Sequence, residues 1–174
     1  MKLLVFFVLQ VVLVFFSAKI TCTAADLDVQ YRKYQEKLKQ ETNPVSKTKI
    51  LIKMSAIDLK EAAVQVRAGN LEEADRFLIR YADDVHQAQE ILKNSARNAQ
   101  KNPSGFRDLE LSLHQQLRKL NDLKDSYPYD QQKNLEKALE TAKAVQQEML
   151  LAIFGPENLQ MPEDRRAPQP RVRP

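Results

Sequence analysis

Glycine occurs only three times in 174 residues, at Gly69, Gly105 and Gly155. All three fall where a helix would begin or stop. Proline keeps clear of the periodic stretches and marks breaks at Pro44, Pro103, Pro128 and Pro156. Between these marks run long segments rich in Ala, Leu, Gln, Glu and Lys, which pass easily into helix. This punctuation predicts an all-α domain.

Apolar spacing divides the domain into five helices. The first is expected from about Asp28 to Glu41, where Leu27, Tyr31, Tyr34 and Leu38 recur at helical steps. Asn43 is placed to cap the next helix, and Pro44 suits a first helical position. The second helix is predicted over Pro44–Ala68, with Gly69 as its left-handed stop. It carries two apolar stripes, Ile50/Met54/Ile57/Val64 and Ile52/Ala56/Leu59/Ala63/Val66. A helix apolar on two sides is expected to be central, or else to form a dimer seam. Between the stripes lies a cationic line of Lys49, Lys53, Lys60 and Arg67.

Asn70 and Glu73 have the spacing of a capping box at the head of a third helix. Three-four spacing from Leu71 through Leu92, Ser95 and Ala99 extends that helix to about Lys101 and makes it the longest. Asn102-Pro103-Ser104-Gly105 is a loop, and Phe106, Leu109, Leu113, Leu117, Leu120 and Leu123 mark a fourth helix. After the Tyr127-Pro128-Tyr129 loop, Asp130 is expected to cap a fifth helix. That helix is lined by Leu135, Ala138, Ala142, Val145, Met149 and Ala152, and Phe154-Gly155-Pro156 ends it. The fold class expected is all-α: an antiparallel helical bundle of four long helices plus a short N-terminal one, over residues 26–155.

The two ends have different compositions. Lys2, an apolar run from Leu3 to Phe16 and then small residues to Ala25 have the order of a secretory signal peptide. The run is shorter than a membrane span needs, so cleavage near Ala25 is expected, with a retained anchor as the rival. Cys22, the only cysteine, lies inside that leader. The mature chain then has neither a disulfide, a thiolate zinc site nor a cysteine nucleophile. The formal charge of +4 includes Lys2 and Lys19 of the leader, so the remainder is close to balance. That argues against nucleic acid as a partner, as does the lack of aromatic residues interleaved with the basic ones. Residues 156–174 hold five of the eight prolines, together with Arg165, Arg166, Arg171 and Arg173. They read as a disordered, extended tail. It could serve as a polyproline-type ligand or as a loose tether to anionic envelope polymers.

Motifs that carry chemistry are weak. Asp83/His86, His86/Glu90 and Glu110/His114 share helical faces at metal-ligand spacing, yet both histidines sit on the shoulder of a helix beside a core residue. Adjacent carboxylates such as Glu72-Glu73 and Asp83-Asp84 point about 100° apart and cannot act as a facing acid–base pair. The reading is therefore non-enzymatic, with no catalytic, cofactor or metal residues assigned. Lys49, Lys53, Lys60 and Arg67 remain as a candidate anion-contact stripe for envelope polysaccharide or anionic lipid. Tyr127 and Tyr129 are placed to plug the end of the bundle.

Asn43-Pro44-Val45 with Lys49-Ile50-Leu51-Ile52-Lys53, Ala68-Gly69-Asn70, Asn102-Pro103-Ser104-Gly105-Phe106 with Leu109-Glu110, and the Leu151–Gly155 stretch carry a resemblance. Together they resemble a group of uncharacterised, secreted, all-helical proteins of acidobacterial type. The resemblance spans nearly the whole mature chain and implies a shared scaffold without an activity. The function expected is an exported interaction or structural module of the bacterial periplasm or envelope, monomeric or dimeric, with an unidentified protein partner. The alternative is a bundle that binds a small molecule or metal, with a cavity between helices two, three and five lined by Met54, Tyr81 or Met149.

Overall fold

The computed structural model describes residues 27–155. The leader over 1–25 and the tail over 156–174 lie outside the described residues. The fold is all-α. Helix α1 spans 27–40, followed by α2 (Pro44–Arg67), α3 (Leu71–Lys93), α4 (Phe106–Lys124) and α5 (Lys133–Phe154). A single 3₁₀ turn, Tyr129–Gln131, precedes α5. Among the described residues no helix is long and apolar enough to cross a membrane.

The start and stop of α2 follow from local chemistry. Asn43 Oδ1 accepts from the backbone N–H groups of Val45 at 2.9 Å and Ser46 at 3.3 Å, satisfying two donors that the helix leaves free. At the other end Gly69 adopts φ +79°. Its N–H donates to Val66 O at 3.0 Å, and that of Asn70 reaches Gln65 O at 2.9 Å, closing a Schellman motif. The chain reverses there, and α3 returns along α2.

Two expected helix starts are corrected. The Asn70–Glu73 capping box does not form: Asn70 Nδ2 donates back to Gln65 Oε1 at 3.0 Å, and Glu73 pairs with Arg76 at 2.8 Å. Asp130 does not cap α5, because it lies in the 3₁₀ turn and α5 begins at Lys133. The third helix is also shorter than its apolar spacing implies. It ends at Lys93, where Ser95 Oγ donates to Leu92 O at 2.6 Å and Ala96 takes φ +52°. Serine and asparagine offer the backbone such local alternatives to helix. Ala99 still reaches the core, at the far side of the break.

Side-chain pairs give the direction of every neighbour. Asp58 of α2 meets Arg80 of α3, antiparallel across the Gly69 turn. In α4 and α5, Lys124 meets Glu136 and Glu110 meets Gln146, again antiparallel. Between these hairpins the directions agree. Lys49 meets Asp108 and Ser55 meets Gln116, so α2 and α4 run parallel. Asp75 meets Asn134 and Gln89 meets Glu148, so α3 and α5 also run parallel. The helices thus close a circuit α2–α3–α5–α4, with α3 and α4 on a diagonal. Residues 94–105 make that diagonal crossing, which is why the chain must leave helix at Lys93. This circuit, compatible with a helical bundle, surrounds a continuous apolar core that includes Leu51, Leu78, Tyr81, Leu92, Leu120, Leu135 and Ala142.

Candidate functional site

Helix α1 lies along the α2–α3 hairpin. It is seated by Leu27 and Tyr31, which are buried, and by Tyr34 and Leu38, which pack against the core. Beneath it is a polar centre. Asp58 is fully buried. Its Oδ1 accepts from Arg80 Nε at 2.8 Å and also from Arg80 Nη2. The guanidinium stacks on the Tyr31 ring, 3.8 Å from its centroid, with the Phe77 ring at 5.0 Å. Tyr31 OH donates to Asp84 Oδ2 at 3.4 Å. One arginine therefore ties α3 to α2 through Asp58 and to α1 through an aromatic face.

Burial dominates the protonation of these acids. It pushes the Asp58 carboxyl up to about 6, against the opposing pull of Arg80. Burial also pushes Asp84 up to about 7, helped by the nearby charge of Asp58. The Tyr31 hydroxyl is raised by burial and by the same two carboxylates.

Beside this centre a groove of about 400 Å³ opens between α1, α2 and α3. Tyr31, Leu38, Met54 and Ile91 supply its apolar lining, with Gln35, Lys39, Lys47, Asp84 and Gln87 as the polar part. A second groove, of about 340 Å³, follows the parallel α2–α4 seam. Ala56, Leu59, Ala63, Val66 and Leu123 form its apolar part, and Lys60, Arg67, Lys119, Asp122 and Ser126 its polar part. The small side chains of Ala56 and Ala63 leave the space.

The four-residue cationic stripe on α2 is divided. Lys49 pairs with Asp108 at 3.4 Å, and Lys53 stands over the Tyr34 ring at 5.7 Å. Lys60 and Arg67 line the seam groove with Lys119 of α4, a third cation that helical spacing on α2 could not reveal. Among the described residues none of these three has an ion-pair partner.

His86 is exposed, its Nδ1 3.4 Å from Gln89 Oε1, and His114 is exposed beside Arg118 at 3.1 Å. Among the described residues no three of His, Cys, Asp and Glu come together to hold a metal ion. Met54, Tyr81 and Met149 are all buried in the core, and Met54 also borders the groove under α1. Tyr127 is buried and its OH donates to Asp75 Oδ1 at 2.8 Å, so it plugs the end of the circuit. Tyr129, by contrast, is 92% exposed.

Compared with known proteins, the chain matches no protein-family model, no curated protein and no solved structure.

Proposed function

We propose that the protein is an exported, non-enzymatic helical bundle acting as a protein–protein interaction module in the bacterial periplasm or envelope. In this reading the leader is cleaved near Ala25, and the scaffold belongs with the secreted acidobacterial-type helical group. One observation carries the reading. The α2–α4 seam offers an apolar-floored groove with three cations, Lys60, Arg67 and Lys119, against the single carboxylate of Asp122. Such a surface suits an amphipathic partner helix with an apolar stripe flanked by Asp or Glu, the helix-in-groove mode of recognition. The chain itself makes a comparable contact on its other side, where α1 lies along α2 and α3.

Native mass spectrometry of the protein purified from its host envelope tests this. The expected spectrum shows a chain beginning at Asp26 with a second protein attached. That mass should disappear from the variant carrying Lys60→Glu, Arg67→Glu and Lys119→Glu. A partner retained by the triple variant, or polysaccharide or lipid adducts in place of a protein, would overturn the assignment. A chain beginning before Asp26 would overturn cleavage at Ala25.

A further inference from the structure

The groove under α1 is charged oppositely at its two ends. In the antiparallel α2–α3 register set by Asp58 and Arg80, Met54 stands level with Asp84 and Lys47 stands level with Ile91. Seven residues of α3 separate Asp84 from Ile91, about 10 Å at the rise of an α-helix. One end therefore holds Asp84, with Asp58 and a single Arg80 behind it, an excess of one negative charge when both acids are ionised. The other end holds Lys39 and Lys47, neither of which has an ion-pair partner among the described residues. Between them Gln35 of α1 and Gln87 of α3 line the groove as exposed residues over an apolar floor.

We propose that this groove binds a short free peptide of about three residues, with its terminal ammonium on Asp84 and its terminal carboxylate between Lys39 and Lys47. The length follows from geometry. An extended residue advances about 3.3–3.6 Å, so three residues span the roughly 10 Å between the charged ends. The side-chain amides of the two glutamines each offer a donor and an acceptor to the peptide groups in between. The volume of about 400 Å³ is within the range of small-ligand sites. An interior segment of a protein lacks both terminal charges and would leave Asp84 without its counter-ion. This site is separate from the α2–α4 seam, and neither proposal depends on the other.

The protonation of Asp84 gives the site a pH signature. The groups facing it are the Tyr31 hydroxyl from α1, Asp58 from α2, and Arg80 and Asp83 from α3. An ammonium favours ionised Asp84, so binding tightens as pH rises through about 7. A peptide amine loses its own proton near 7.7–8.0, and binding weakens again above that. Affinity is therefore highest between these two titrations.

The test is an amide-resolved NMR titration of the full chain with trialanine. The expected shifts fall at Met54, Asp84, Gln87 and Ile91, with affinity greatest between pH 7 and 8. N-acetyl-trialanine and trialanine amide should each bind at least tenfold more weakly, as should dialanine and hexaalanine. Asp84→Asn should lose tenfold or more in affinity while keeping the spectrum of a folded chain, whereas Lys60→Glu, in the other groove, should change nothing. The absence of shifts at these residues with millimolar trialanine would overturn the proposal, and so would equal binding of the capped peptides.

Discussion

Replacing Asp84 by asparagine should make the protein more stable at pH 8, although it removes the acceptor charge of a buried hydrogen bond. Asp84 is 6% exposed, and its hydrogen bond from Tyr31 is long at 3.4 Å. In the unfolded chain its carboxyl titrates near 3.8, whereas in the fold burial and the charge of Asp58 hold it near 7. Between these values the folded state keeps the proton more tightly than the unfolded state. Stability is therefore greatest below the lower value and declines as pH rises through the window. Above about 7 both states are ionised and the penalty acts in full. At about 1.4 kcal/mol per pH unit the interval corresponds to about 4 kcal/mol as an upper limit. Asparagine keeps the shape and an acceptor for Tyr31 but has no charge to desolvate. Allowing for relaxation around the charge, we expect a gain of about 1–3 kcal/mol at pH 8. The gain should shrink toward zero at pH 4. Urea denaturation followed by helical circular dichroism at pH 4, 6 and 8 measures it. A difference that stays flat with pH, or a variant less stable than the parent at pH 8, would refute the burial account.

Two contrasts test the local chemistry of the helix ends. Asn43→Ala removes a cap that accepts from two backbone donors and should cost about 1 kcal/mol. Asn70→Ala removes a side chain that caps nothing and should cost only a few tenths of that in the same urea assay. Gly69→Ala meets only the positive φ, since nothing lies within 4 Å of the new methyl, and should cost about 1 kcal/mol. Gly105→Ala meets the same backbone cost and also places a methyl 2.9 Å from Leu92 Cδ2 and 3.3 Å from Val45 Cγ2. It should lower the thermal midpoint clearly further than Gly69→Ala, and equal midpoints would contradict the packing at that turn.

Helix ends written in single residues were legible in the sequence. Asn43-Pro44 and Gly69 act through their own donors, acceptors and φ, so position along the chain was enough to place them. The end of α3 was not legible, because Ser95 and Ala99 continue the three-four spacing as small residues that fit a helix face as well as a loop. The centre under α1 was hidden for a different reason. Thr48, Ser55, Asp58 and Glu61 are polar and yet buried on α2, so the inner face of that helix lies beside its apolar stripes rather than on them. Asp58 is buried only because Arg80 arrives from 22 residues away, and no local pattern encodes that meeting. Asp84 was visible only as the neighbour of Asp83. Lys60 and Arg67 were legible as a pair, whereas Lys119 joins them only after two hairpins dock in parallel.

That parallel docking also decides where the chain can be lengthened. The turn between α2 and α3 is tight, so extra residues at Gly69 would unseat a Schellman motif. The crossing over 94–105 already spans a diagonal, and loop closure becomes only about 0.6 kcal/mol more costly for each doubling of length. Its tight points are local: Ala99 is buried, and Gly105 abuts Leu92 and Val45. Arg97 and Asn98 are exposed, which makes the peptide bond between Ala96 and Arg97 the natural port for a fused tag, fluorophore or second domain.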